Sequence, residues 1–337
     1  MKDGDHFLAM QIHYTLDDSA ARLLLTIRSV EQVWDRAAEL RNSAGVHLVE
    51  LATRHVLGTG SGLVEELARY FESGVSDTDP YQLAFYDAHR AELEDLLRDL
   101  RDVRPPLVAL HEVAELFPLT MELDINFTLA LTVVGYPAFG YVRTYHDSEG
   151  ETYHGLVVNL AQARAHLLTL GEAEFSLQRL ADTIRHGFFN HEGFLLAYAE
   201  YARAIGRETE RAQERLKNRL LSRGIAWYLS YRHDFAYYDA LIGLDEARDL
   251  PVYVARCNAL LDGSRAGKPL EEWPQAWETL EPSRTCLDVV GYFAARGIAA
   301  AHGVEGLREA ILAGPERFIH MYNALGKPPL HVSHPIR

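Results

Sequence analysis

The sequence predicts an α+β protein that is mostly helical and contains one small mixed β-sheet. Apolar residues recur at three- and four-residue steps before residue 101 and again after residue 175, which is the period of a helix. Between these regions, residues 121–160 are rich in β-branched and aromatic side chains separated by Gly and Pro, a pattern typical of short strands. The sheet is therefore expected to precede the main helices of the C-terminal part.

Residues 1–118 are predicted to form an N-terminal helical region. The helical pattern runs from Ser19 to Arg101 and ends in a polar helix at residues 87–102. The Gly-rich stretch Gly58–Gly62 lacks the Lys-Ser/Thr pair of a phosphate loop, so we expect a connector between helices. The stretch His111–Glu115 (HEVAE) begins like a metal motif but ends in Glu where a second histidine would stand. An exposed helix face is expected there.

Residues 119–337 are predicted to form a second domain that contains the sheet and the remaining helices. Strands are expected at residues 121–134, 139–145 and 156–160. Helices are expected at residues 175–196, 209–231 and 287–312. The segment between residues 251 and 282 is punctuated by Gly, Pro and Trp, which favours an insert of loop and short helix.

Charge and composition exclude several classes of partner. The net charge is −15, with 33 basic and 48 acidic side chains, whereas nucleic-acid binding depends on clustered Lys and Arg. No apolar stretch is long enough for a membrane span, and the N-terminus lacks the pattern of a secretion signal. The two cysteines, Cys257 and Cys286, form no CxxC motif, so a disulfide framework is not expected. We expect a cytoplasmic protein that binds neither nucleic acid nor membrane.

The stretch His186–Glu192 (HGFFNHE) lies where a zinc peptidase would carry its HExxH helix. Such a helix needs two histidines four residues apart, because one turn then places both imidazoles on the same face. Here the residue four positions after His186 is Asn190, and His191 comes one position later. The motif is altered, and the metal site is predicted to be either lost or rebuilt.

The region from about residue 120 to 325 resembles the predicted zinc-dependent peptidases of the gluzincin type, a domain of unknown function. Three stretches carry the resemblance: the strand-and-helix pair ending in LADTIRHGFFNHEGF, the segment LLSRGIAWYLSY at 220–231, and the closing helices at 289–312. The resemblance implies a zincin-like fold with His186 as a zinc ligand. Relative to the family pattern, Gly187 replaces the general base, Asn190 replaces the second histidine and Arg223 replaces the third ligand, a glutamate.

The first functional hypothesis is a pseudoenzyme that binds no cofactor. Its former active-site cleft would bind a peptide, a protein or a small acid, with Arg223 anchoring a carboxylate. An ion pair of Arg223 with Glu192 or Asp234 would replace the charge of the lost metal. The residues expected to line this cleft are Arg223, His233, Asn190 and Tyr231.

The alternative is an active metallohydrolase or peptidase with a non-standard zinc site. A π-bulge near Gly187 would rotate the helix and bring His186 and His191 together as metal ligands. His233 and Asp234 would supply further ligands, and Glu192 would be the catalytic carboxylate. In the simpler interpretation of the same pattern, His191 is a hydrogen-bonded histidine of the core.

Overall fold

The structure is a computed structural model. It describes residues 11–57, 62–74, 78–103, 108–118, 124–135, 140–146, 152–169, 177–207, 209, 211–236, 239, 243–265 and 285–331. The predicted connector at residues 58–62 and the segment 266–282 lie largely or wholly outside the described residues.

The chain divides into two compact units, and both are discontinuous in sequence. The sheet unit consists of His13–Pro105 and Asn126–Ile184, and the helical unit consists of Met1–Ile12, Pro106–Ile125 and Arg185–Arg337. Their boundaries therefore differ from the single boundary between residues 118 and 119 that the sequence predicted.

The sheet unit contains a four-stranded mixed sheet in the order β1-β2-β4-β3. Strand β2 pairs with β4 in parallel, with Leu129 opposite Leu156, whereas β3 pairs with β4 antiparallel, with Val142 opposite Leu156. The strands are β1 (Gln11–Asp17), β2 (Asp124–Thr132), β3 (Gly140–His146) and β4 (Thr152–Asn159). The predicted mixed sheet is confirmed. Strand β1 was not predicted.

Two helices of this unit, at residues 44–57 and 160–169, pack against the sheet, and the buried residues of its helices are mainly Leu, Val and Ala. They are α1 (Ser19–Thr26), α2 (Val30–Asp35), α3 (Ala37–Arg41), α4 (Ala44–Leu57), α5 (Leu63–Ser73), α6 (Leu83–Ala88), α7 (Arg90–Val103), α9 (Leu160–Thr169) and α10 (Leu177–Asp182). Helix α4 lies close to β4, because a Cβ atom at Gly155 would come within 2.4 Å of Leu48 Cδ1. Glycine at this position lets the helix approach the strand.

The helical unit is built around α12 (Ala212–Tyr231) and the long helix α14 (Cys286–Ala313). A Cβ atom at Gly224 of α12 would lie 2.4 Å from the carbonyl carbon and oxygen of Gly291 in α14, so the two backbones cross in contact. Its helical elements are α8 (Val108–Ala114), a π-helix (Thr183–Asn190, which begins in the sheet unit), α11 (His191–Ala204), α12 (Ala212–Tyr231), α13 (Glu246–Arg265), α14 (Cys286–Ala313) and α15 (Pro315–Asn323).

The ends of α14 are specified by its sequence. Thr285 and Asp288 form a capping box at the start, in which each side chain accepts a hydrogen bond from the backbone N–H of the other. Gly303 interrupts the helix with a φ of 68°, and Gly314, with a φ of 100°, ends it before α15 begins at Pro315. Both glycines adopt a left-handed conformation that other residues rarely accept.

The α+β class and the mainly helical C-terminal part agree with the sequence. Residues 177–204 form one continuous helical run, close to the predicted helix at 175–196. Residues 246–265 form a regular helix with Pro251 inside it, which agrees with the helical part of the predicted loop-and-helix insert; residues 266–282 lie outside the described part of the chain. Among the described residues, no helix is long and apolar enough to span a bilayer.

Candidate metal centre

The altered motif lies in a π-helix. Residues Thr183–Asn190 adopt this wider helix, whose hydrogen bonds run from i to i+5 and which occurs frequently at functional sites. The hydroxyl of Ser230 on α12 lies 3.2 Å from the carbonyl oxygen of Gly187 and can donate a hydrogen bond to it. The predicted irregularity near Gly187 is therefore present. It does not place His191 among the converging donor atoms described below.

Three potential metal ligands converge instead from three separate segments. Glu112 comes from α8, His186 from the π-helix, and His233 from the turn that follows α12. One ligand atom from each of these residues lies within 4.8 Å of the other two. The His186 and His233 rings have centroids 4.0 Å apart with planes inclined by 38°. Two imidazoles and one carboxylate thus meet at one point of the helical unit.

The carboxylate of Glu112 is held in place by two neighbouring side chains. Arg232 lies 2.6 Å from Glu112 Oε1, and the Asn190 side-chain amide donates to Oε2 over 2.8 Å and to the Leu229 carbonyl over 3.3 Å. The Glu112 side chain is only 15% exposed. Burial alone would raise its pKa, but hydrogen bonds from Arg232 and His233 outweigh this and lower the pKa below its ordinary value. Glu112 is therefore a carboxylate at neutral pH.

The spacing between His233 and Glu112 is compatible with two ligands of a tetrahedral metal ion. Two ligand atoms that each lie about 2.0–2.1 Å from tetrahedral zinc are about 3.3 Å apart. The Nε2 atom of His233 lies 3.1 and 3.2 Å from the two carboxylate oxygens of Glu112. In addition, Asn190 Oδ1 is buried and accepts no hydrogen bond from the described residues, so one acceptor remains for a polar ligand. Both observations are consistent with an ion bound at this point.

His191, the first residue of α11, forms a second polar cluster with side chains of α12. Its Nε2 lies 3.2 Å from Arg223 Nη1, its Nδ1 lies 3.4 Å from Ser230 Oγ, and the Trp227 ring meets it edge-on at 4.6 Å. The His191 side chain is 8% exposed. Burial and then the positive charge of Arg223 lower its pKa to about 3. His191 is therefore neutral at physiological pH and accepts a hydrogen bond from the guanidinium.

The other predicted site residues occupy different positions. Glu192 lies beside His191, with 4.0 Å between its Oε1 and the histidine Nε2. Tyr231 is buried and packs edge-on against Tyr292. Among the described residues, Arg223 makes no ion pair with Glu192 or Asp234, so that predicted pair is wrong. The structure brings together His186, His233 and Asn190 from the predicted set.

Sequence reasoning missed Glu112 and Arg232. Glu112 is the second residue of HEVAE, a stretch interpreted as an exposed helix face because its fifth residue is not histidine. That interpretation fits His111 and Glu115, which are exposed, but it is wrong for Glu112. A search for pairs of ligands within one helix cannot detect a carboxylate that joins the group from a helix more than seventy residues earlier in the sequence.

Comparison of the chain with protein-family models, with curated proteins and with solved structures gives no match.

Proposed function

We propose that this protein binds a divalent ion of the zinc type through Glu112, His186 and His233. The observation that carries the proposal is the convergence of the three ligand atoms within 4.8 Å. Imidazole nitrogen and carboxylate oxygen are common zinc ligands, and two histidines with one glutamate form a known set for catalytic zinc. Three protein ligands leave one tetrahedral position open for a water molecule or a substrate oxygen.

The surroundings of Glu112 are arranged for such a role. Ligand carboxylates in metal sites are usually held by hydrogen bonds from neighbouring groups, which fix their orientation. Arg232 and Asn190 do this here, one at each carboxylate oxygen. The positive charge of Arg232 weakens metal affinity, because it lies beside the ligand that carries the only negative charge of the set. We therefore expect moderate affinity for the ion.

A metal held by these residues would supply Lewis-acid chemistry, which is the basis of hydrolytic zinc enzymes. This supports the alternative of a metallohydrolase or peptidase with a non-standard site. The ligand set differs from the gluzincin pattern, with which it shares only His186. The zincin-like fold, a catalytic role for Glu192 and a cytoplasmic location remain predictions from the sequence.

Metal analysis tests the proposal. Untagged protein is stripped with a chelator, dialysed against zinc, and measured by mass spectrometry for stoichiometry and by calorimetry for affinity. We expect one ion per chain, and more than about tenfold weaker binding in Glu112→Gln and His233→Ala. His111→Ala is the matched control, since His111 is the exposed neighbour of Glu112 on α8. Absence of stoichiometric zinc, or equal affinity in the ligand variants and the control, would overturn the proposal.

The second candidate is a non-catalytic protein that binds a peptide, a protein or a small acid through Arg223. The observation in its favour is the environment of the guanidinium. Arg223 contacts the neutral ring of His191, and no carboxylate in the described part of the chain lies within ion-pair distance of it. Its charge is thus available to a carboxylate ligand.

This candidate is tested with a pair of probes, an acetylated dipeptide with a free carboxylate and the same dipeptide as its amide. Trp227 contacts His191 and provides a fluorescence signal. Binding of the acid alone, lost in Arg223→Gln and unchanged by zinc removal, supports the second candidate. Equal or absent response to both probes contradicts it.

A further inference from the structure

Two asparagines of the helical unit bind the backbone of the segment that follows α15. Asn323, the last residue of α15, binds both polar groups of Leu330: it donates to the carbonyl oxygen over 2.9 Å and accepts from the N–H over 2.9 Å. Asn258 on α13 binds the two flanking residues, donating to the Pro329 carbonyl over 3.0 Å and accepting from the His331 N–H over 2.8 Å. Each side-chain amide thus acts as a neighbouring β-strand does, with one donor and one acceptor.

The backbone of this segment is fully hydrogen-bonded by side chains. The Tyr322 hydroxyl donates to the Pro328 carbonyl over 3.0 Å, and proline has no N–H that needs a partner. Every backbone donor and acceptor from the Pro328 carbonyl to the His331 N–H therefore has a partner. These bonds do not depend on which side chains the segment carries, so the same three residues can bind the backbone of another chain.

The segment has the form of an extended peptide with one anchor. Leu330 is only 2% exposed, whereas its neighbours Pro329 and His331 are exposed, which is the alternation of an extended chain. Two consecutive prolines favour such a backbone, because each fixes its own φ and restricts the residue before it. Extended proline-rich segments are a recurring form of ligand in peptide recognition, since they lose little entropy on binding.

Acidic side chains lie at both ends of the bound segment. Lys327 forms an ion pair with Glu246 at the start of α13. At the other end, His331 Nδ1 lies 2.8 Å from Asp262 Oδ2, also on α13. The charges at both ends therefore favour a peptide with a basic residue on each side of the sequence Pro-Pro-Leu.

We propose that Asn258, Tyr322 and Asn323 form a peptide site for an extended, basic Pro-Pro-Leu segment of a partner protein, and that residues 327–331 occupy it within the chain. The occupant buries one apolar side chain and its ion pairs are at the surface, so local opening exposes little apolar area. The linker to α15 is only residues 324–326, and such a tether gives an effective concentration of roughly millimolar order. The chain's own segment therefore excludes dilute partners. The proposal uses no residue of the metal centre.

Fluorescence anisotropy with a labelled peptide of residues 326–331 (acetyl-Gly-Lys-Pro-Pro-Leu-His-amide) tests the proposal on the full chain. Leu330→Asp and Leu330→Gly each remove the anchor of the chain's own segment. We expect saturable binding to both variants and at least about tenfold weaker binding to the wild type, in which the site is occupied. Adding Asn323→Ala to either variant should weaken binding at least about tenfold, and so should N-methylation of the peptide leucine, which removes the N–H that Asn323 accepts. Asn42→Ala, at an exposed asparagine of the sheet unit, is the matched control and should change nothing.

Circular dichroism and thermal unfolding verify that each variant is folded. Folded Leu330→Asp and Leu330→Gly proteins that do not bind the peptide would overturn the proposal. Equal binding of the N-methylated peptide, or equal binding after Asn323→Ala, would also overturn it, because the amide would then not bind the peptide backbone. A wild-type dimer that Asn323→Ala abolishes would assign the site to a second copy of the chain and contradict the proposed partner.

Discussion

Acidification is expected to destabilise the helical unit through His191. The imidazole is buried, and its pKa is lowered to about 3 by burial and by the charge of Arg223. In the unfolded chain the same group has a pKa of about 6.5. Below the unfolded value the unfolded chain binds a proton that the native protein excludes, so the free energy of unfolding falls as the pH drops from about 6.5 toward 3.

The magnitude follows from the two pKa values. At about pH 7 the unfolded histidine is mostly neutral, and the linkage contributes only about 0.2 kcal/mol. At about pH 5 the unfolded histidine is almost fully protonated while the native one is not, and the loss of stability reaches about 2 kcal/mol. Carboxylates contribute little in this interval, because the ordinary pKa values of Asp and Glu lie below pH 5. The native protein resists protonation, since an imidazolium at this position would be buried beside a guanidinium.

Urea unfolding followed by circular dichroism at about pH 7 and about pH 5 measures this effect. The control is His191→Gln, whose amide oxygen can accept a hydrogen bond from Arg223 but does not titrate. Both proteins are kept in a chelator so that metal release does not contribute. The other histidines are common to both proteins, so the difference between the two pH dependences isolates His191.

We expect the wild-type protein to lose about 2 kcal/mol more than His191→Gln between these pH values. Equal losses, within about 0.5 kcal/mol, would refute the assignment of His191 as a buried neutral imidazole. A larger loss in the variant would also refute it, because an amide that does not titrate cannot add to the pH dependence of unfolding.

Three further substitutions test the packing, the capping and the site. Gly224→Ala should lower the free energy of unfolding by about 1–3 kcal/mol in urea titrations, because a Cβ atom there meets the backbone of Gly291 at 2.4 Å. Thr285→Ala should cost about 1 kcal/mol in the same assay, since it removes one half of the capping box, whereas Thr285→Ser should cost less. Asn190→Asp should destabilise the metal-free protein by about 1–3 kcal/mol, because it exchanges an amide that donates to Glu112 for a second carboxylate. Zinc should raise the melting temperature of this variant more than that of the wild type; an equal shift would contradict the proposed site.

The fold was predictable where the signal is local. Strands β2 to β4 and helices α12 and α14 follow from the period and type of their apolar residues, and the observed bounds differ by only a few residues from those predicted. Strand β1 was missed because seven residues beside a helical pattern give a weak signal. The helix at 246–265 was predicted only as part of a loop-and-helix insert that begins at residue 251, because Gly, Pro and Trp punctuate this stretch; the observed helix begins earlier and contains Pro251.

The site was less predictable for a physical reason. His186, Asn190 and His233 were identified because they lie near an altered motif. Glu112 was not, because its role depends on the contact of α8 with the helices that follow, which no local pattern encodes. The π-helix was anticipated as a mechanism for rebuilding the site. Its consequence was not, because the contact of the His186 ring with His233 joins two segments that are distant in sequence.

Arg223 of α12 and Arg232 of the turn after it explain why the potential metal ligands converge at His233 and not at His191. Arg223 donates to His191 Nε2, and Ser230 contacts Nδ1, so both ring nitrogens of His191 are engaged with neighbouring side chains. A metal would have to displace a part-buried guanidinium to use this ring, and the two cations would repel each other. Arg232 binds Glu112 instead. It contacts one carboxylate oxygen, and His233 and Asn190 contact the second one. A carboxylate can hold an arginine and a metal at the same time, whereas an imidazole nitrogen has one lone pair. Arg223 therefore excludes His191 as a ligand, and the potential ligands that remain beside His186 are Glu112 and His233, each from a different segment.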